Sequence, residues 1–190
     1  MLTGKTALIT GGGSGVGQGI ALALAAKGAN VAVAGRTLEK CEISAELLRA
    51  RGVKALPIRC DVKSESDLKT ALEATIAEFG QLDLLVNNAQ EVKLGPLLSI
   101  ADEEFDGNFK SGPMATFRLM KMAYPHLKET KGHVVNLLSS VMKRWDVGNY
   151  GVYAAVKAAI QQLTRAGACE WGKDGIRVNA IMPHPKSPAL

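Results

Sequence analysis

Tyr153 and Lys157 stand four residues apart in GVYAAVKAAI, a stretch of helical pattern, so both project from one face and the ammonium can lie beside the phenol. Tyrosine ordinarily ionises near pH ~10, and an adjacent cation lowers that value, which makes the phenol a usable acid and base near neutrality. Ser140 closes the run HVVNLLSS, where its hydroxyl can bond a substrate carbonyl oxygen while Tyr153 protonates it. Three such side chains suit proton transfer coupled to hydride delivery. A hydride donor must then be held by the same chain, and Thr10-Gly11-Gly12-Gly13-Ser14-Gly15-Val16-Gly17 is the segment for it. It follows the apolar run TALIT and opens a helical pattern, so helix N-terminal N–H groups can face a diphosphate with no Cβ in the way. Its spacing, Gly-x-x-x-Gly-x-Gly, departs from the commoner G-x-G-x-x-G fingerprint.

The second apolar run ends Val33-Ala34-Gly35-Arg36-Thr37, where a site for NAD usually carries an acid that grips the ribose hydroxyls. Gly35 takes that place and a cation follows. Arg36 can bind a 2′-phosphate bidentately, with no acid at this position to repel it, so NADP is expected ahead of NAD.

The elements that must position these residues alternate along the chain. Short apolar runs TALIT, NVAVAG, KALPIRC, LDLLVNNA, HVVNLLSS and IRVNAI are separated by helical patterns. These helices are expected from about Gly15, through the forties, from Ser64 to Phe79, around Asp102 to Leu127, and from about Tyr150. The strands are continuous apolar runs, as in a parallel sheet covered by helices on both faces. The fold expected is a single Rossmann-like, doubly wound α/β sheet with its crevice at the carboxyl ends of the strands. No repeat, low-complexity tract or linker divides it.

Of the 190 residues, 47% are hydrophobic and 22% charged, which is ordinary globular composition, and no window has the roughly 18 uncharged apolar residues of a membrane span. Cys41, Cys60 and Cys169 lie far apart, without the close spacing of a zinc site, and are expected as reduced thiols; no metal site is expected. The formal charge of +5 comes from scattered cations rather than a basic run, which argues against nucleic acid. A cytoplasmic protein is the expectation.

Taken in order, these motifs resemble the short-chain dehydrogenase/reductase family: TGGGSGVG at 10–17, CDV at 60–62, NNA at 87–89, Ser140, Tyr153 with Lys157, and VNAIMP at 178–183. The resemblance implies an oxidoreductase that interconverts a small-molecule carbonyl and an alcohol, assembled as a homodimer or homotetramer. It assigns cofactor binding to Gly11, Ser14, Gly15, Val16, Gly17, Arg36, Asp61, Val62, Asn88, Ala89, Tyr153, Lys157 and Pro183. Asp61 and Val62 would border the adenine, Asn88 would support cofactor and central strand, and Lys157 would also hold the nicotinamide ribose. Asn108 would be the fourth catalytic residue, holding a water in a proton relay behind Lys157. The thirteen-residue distance to Tyr153 matches the family for Ser140 and leaves Ser139 a structural part.

Four departures accompany the match. Gln90 replaces the glycine of Asn-Asn-Ala-Gly, and His184 the glycine after Pro183. About four residues are missing between Asp106 and Gly107. Family members usually continue past Leu190, so the expectation is one domain over 1–190 that lacks a C-terminal substrate-covering segment. Met142 to Asp146 should line the pocket mouth. The departures motivate a second reading, a catalytically impaired nucleotide-binding protein with a regulatory or interaction role.

Overall fold

A computed structural model describes residues 1–144 and 148–183, so Trp145, Asp146 and His184 lie outside the described residues. Six strands, β1 (Thr6–Thr10), β2 (Asn30–Gly35), β3 (Ala55–Arg59), β4 (Leu84–Asn87), β5 (His133–Leu137) and β6 (Arg177–Ile181), alternate with helices. The helices are α1 (Gly15–Ala25), α2 (Leu38–Arg49), α3 (Glu65–Phe79), α4 (Asp102–Phe109), α5 (Ala115–Thr130) and α6 (Gly151–Trp171). All pairings are parallel, in the order β3-β2-β1-β4-β5-β6. The expected doubly wound sheet is therefore present, and the strand order reverses between β1 and β4. At that point the connections leave to opposite faces and a crevice opens beyond the strand ends.

Alternation along the strands splits the core into two layers. Leu8, Ala32, Leu85 and Val134 pack with Leu68 and Leu72 of α3 and Leu119 and Leu127 of α5. Their strand neighbours Ala7, Ile9, Val31, Val33 and Val86 pack with Ala21 and Ala25 of α1 and Cys41, Ala45 and Leu48 of α2. A third cluster joins Val156 and Ile160 of α6 to Leu138. Strands buried on both faces read as unbroken apolar runs for this reason.

The expected boundaries shift where local chemistry intervenes. Ser64 caps α3 rather than beginning it, its Oγ accepting from Asp67 N at 3.2 Å. Two of the apolar runs outlast their strands at residues of interest: Asn88 and Ala89 leave the ladder and line the crevice, and Ser139 and Ser140 continue into a short turn. The helical region expected over Asp102–Leu127 is α4 and α5 joined by a π turn, Lys110–Met114, that contains Pro113. Proline has no N–H for the α-helical bond, and the wider turn accommodates the missing donor. The backbone thus stays helical through the place where the family's extra residues would be, and Asn108 keeps a buried position in the last turn of α4.

Among the described residues no helix is long and apolar enough to cross a membrane, and no cluster of three or more His, Cys, Asp or Glu could hold a metal.

Candidate active site

The crevice is a cavity of about 380 Å³ at the carboxyl ends of β1, β2 and β4. Gly11, Gly13, Ser14, Gly15 and Val16 form one wall. Gly11 and Gly15 adopt φ of 67° and 54°, the left-handed region that a Cβ disfavours, and a Cβ on Gly11 would sit 2.6 Å from Asn88 Nδ2. Ser14 stands at the N-cap of α1 without a side-chain capping bond. Gly17 follows in the first turn of α1. It is buried and does not line this cavity; a Cβ there would overlap the Gly11 carbonyl oxygen, so its absence lets α1 pack against the turn.

A short hydrogen-bond clamp holds the turn against the end of β4. Asn88 Nδ2 donates to Thr10 O at 2.9 Å and Gly11 O at 3.2 Å, while Thr10 Oγ1 accepts from Asn88 N and Ala89 N, each at 3.1 Å. Asp61 and Val62 line the opposite wall, where Asp61 Oδ1 accepts from Lys63 N at 3.0 Å and shapes the turn. Cys41 and Cys60 also reach this wall, but burial pushes the Cys60 thiol up to about 12 and raises Cys41, so neither is a nucleophile.

Two neighbours of the Asn-Asn-Ala motif carry information that spacing did not. Gln90 lines the cavity with both its amide nitrogen and oxygen buried and unpaired. Leaving such a group unsatisfied costs ~1–3 kcal/mol, so the amide is poised for a ligand with both donor and acceptor groups. Beside it, Gly112 lets the π turn approach α6: a Cβ there would lie 2.7 Å from Val156 Cγ1, while Gln90 Cδ at 3.5 Å would be in ordinary contact. Gly112 thus stands between Gln90, which lines the cavity, and the helix of Tyr153. Glu91 corrects the expectation that Arg36 has no acid beside it. The Glu91 carboxylate lies 4.0 Å from Arg36 Nη1 and 2.8 Å from Lys63 Nζ. The acid comes from the segment after β4, not from the end of β2, and so escapes a reading of β2 alone.

On α6 the expected pair meets. Lys157 is 5% exposed, and its Nζ lies 5.5 Å from the Tyr153 ring centroid and donates to Leu137 O at 2.7 Å. The expected lowering of the phenol by this cation is not what the structure gives. Burial raises the Tyr153 phenol above its ordinary value, with the Ser139 hydroxyl opposing it. Burial also pushes the Lys157 ammonium down to about 8. Desolvation disfavours both charged forms. Ser139, expected to be structural, accepts from Val141 N at 3.5 Å, and its hydroxyl is also the one that acts on the Tyr153 phenol. Ser140 begins the short turn Ser140–Lys143 that Ser139 caps.

Asn108 is 1% exposed, with Oδ1 accepting from Lys93 N at 3.3 Å and Nδ2 donating to Glu104 O at 2.8 Å. These bonds tie the loop after β4 to α4, and none of them reaches Lys157. A buried ladder missed in the sequence braces α6 instead. Asn87 Nδ2 donates to Asn136 Oδ1 at 2.8 Å, and Asn136 Nδ2 donates to Thr164 Oγ1 at 2.9 Å. The polar Asn136 inside HVVNLL was its signal. Tyr153, Lys157 and Pro183 do not line the cavity, and neither does any other residue of α6.

Residues 5–188 match the family described as short chain dehydrogenase. The chain is 45% identical over 188 residues to a 12α-hydroxysteroid dehydrogenase of a Clostridium species, covering 95% of this chain and 72% of that protein. It is 41% identical over 185 residues to a 2,5-dichloro-2,5-cyclohexadiene-1,4-diol dehydrogenase of Sphingobium indicum, covering 96% and 72%. Its fold superimposes on that of an NAD+-bound xylitol dehydrogenase with a TM-score of 0.91 at 29% identity, covering 96% and 70% of the two chains. The chain belongs to the short-chain dehydrogenase family. It is an oxidoreductase of the kind that acts on hydroxyl or carbonyl groups with a nicotinamide cofactor.

Proposed function

We propose that this chain interconverts a carbonyl and a secondary alcohol with NADP(H), using Tyr153 as acid and base. One observation carries the reading. The glycine cradle, with Arg36 and Lys63 at its outer end, is joined through Gln90 and Gly112 to the α6 helix that holds Tyr153 and Lys157. The residues fit such a cofactor: Gly11 and Gly15 leave room for a diphosphate, the N-cap Ser14 makes no side-chain capping bond, and the Gln90 amide awaits a partner.

When bound, the nicotinamide supplies or accepts the hydride. Backbone N–H groups from Ser14 to Val16 hold the diphosphate, Arg36 the 2′-phosphate, and Asp61, Val62, Asn88, Ala89 and Pro183 border the remainder. Ser140 donates a hydrogen bond to the substrate oxygen, and Tyr153 gives that oxygen its phenolic proton as the alcohol forms, taking it back in reverse. Lys157 holds the nicotinamide ribose and restores the Tyr153 proton, with Asn108 at the head of the relay behind it. The enzyme is proposed to work in the cytoplasm as a homodimer or homotetramer. Cyclic secondary alcohols head the substrate panel, because the hydroxysteroid and cyclohexadienediol dehydrogenases are named for them.

The test follows nicotinamide absorbance across that panel in wild type and Tyr153→Phe. The variant is expected to lose ~10²–10⁴ in kcat while its cofactor Kd stays within about twofold. Undiminished turnover removes Tyr153 from the mechanism. Cofactor binding without turnover by the wild type across the whole panel replaces the enzyme reading with a nucleotide-binding one.

A further inference from the structure

We propose that Glu91 sets the cofactor preference of this site by holding, with its own carboxylate, the cations that a 2′-phosphate needs. The inference rests on the reading of Arg36 as a 2′-phosphate ligand. Arg36 leaves the end of β2 and Lys63 the turn after β3, and both face the cavity together with Glu91. One carboxylate oxygen, Oε2, serves both cations, at 2.8 Å from Lys63 Nζ and 4.0 Å from Arg36 Nη1. An anionic oxygen between an ammonium and a guanidinium has the charge and acceptor character of a phosphate oxygen.

The position of Glu91 is set by the fold. Glu91 N donates to Ser111 Oγ at 3.0 Å, and that hydroxyl donates to Gly107 O at 2.7 Å. The backbone of Glu91 is thereby tied to the π turn between α4 and α5. The three charged side chains are 42%, 63% and 33% exposed for Glu91, Arg36 and Lys63, so water screens their pairing and the carboxylate exchanges readily. A ribose 2′-hydroxyl can donate to this carboxylate, as it does to the acid of an NAD site. A 2′-phosphate must instead displace it and then sit beside a like charge. Glu91 therefore supplies, from the segment after β4, the acid that β2 lacks, and narrows the margin of NADP over NAD.

Calorimetric binding of adenosine 2′,5′-bisphosphate and of 5′-AMP tests this without turnover, in wild type, Glu91→Gln and Arg36→Ala. Glu91→Gln is expected to tighten the bisphosphate about fivefold relative to 5′-AMP, the scale of one screened charge pair. Arg36→Ala is expected to weaken the bisphosphate alone. If Arg36→Ala weakens it but Glu91→Gln leaves the ratio of the two affinities unchanged or lowers it, the Glu91 proposal fails and the NADP reading stands. If Arg36→Ala changes nothing, the NADP reading fails and this proposal falls with it.

Discussion

On the β1-β2-β3 side of the crevice the wall at the end of β1 is a glycine turn, with Gly11 and Gly15 in left-handed conformations and charged groups at the solvent edge. On the β4-β5-β6 side it is side chains out of water: Lys157, Asn136 and Thr164 are all buried, and Tyr153 is half-buried. A backbone site is governed by the space in front of it, so an added methyl matters more than a changed charge. A buried side-chain site is governed by desolvation, so protonation matters most. The opposite pKa directions of Tyr153 and Lys157 are the clearest sign of the second regime.

The largest effect expected on the side-chain half comes from the adjacent serines. Ser140→Ala should lower kcat/KM by ~10²–10³, the scale for losing one donor to a developing oxyanion. Ser139→Ala should cost less and move the alkaline limb of the pH profile upward, because its hydroxyl opposes the burial shift of Tyr153. The reverse ranking transfers the anchoring role to Ser139.

Next in size is a pH effect on stability. Lys157 has a folded value of about 8 against an ordinary 10.5, so between those values the unfolded chain holds the additional proton. The penalty for burying the cation is full below pH 8 and is relieved as pH rises to 10.5. Wild type should therefore gain on Lys157→Met over that window, by on the order of 3 kcal/mol at its end. Denaturant unfolding of both proteins at a series of pH values measures it, and a difference that is flat with pH contradicts the desolvated cation.

Smaller effects should sharpen the backbone half. Gly17→Ala drives a Cβ into the Gly11 carbonyl and Asn88, and should cost ~1–3 kcal/mol with a matching loss of cofactor affinity. Gly19→Ala, two residues along the same helix with nothing within 4 Å of the new carbon, should stabilise by ~0.5–1 kcal/mol. Equal thermal shifts for the two would show that packing at Gly17 is not what its position demands.

The order of elements was legible because each strand is buried on both faces and each helix on one, so the run and the period are both in the residue types. NVAVAG and TALIT match β2 and β1 residue for residue. Strand ends were less legible, since Asn88 and Ser140 leave the ladder for reasons that lie in other segments. Spacing also brought Tyr153 and Lys157 together, because four residues along a helix is a local relation. It did not distinguish the contacts of Ser139 from those of Ser140, which depend on how a turn after β5 is aimed at α6.

By itself the sequence determined the doubly wound sheet, the glycine turn and the helical pair, all of them relations among near neighbours in the chain. Only the tertiary structure decided that Glu91 stands beside Arg36, that the Gln90 amide is buried without a partner, and that Lys157 is depressed while Tyr153 is raised. These depend on which distant segments meet and how much water they exclude, because charge pairing and desolvation act through space and not along the chain.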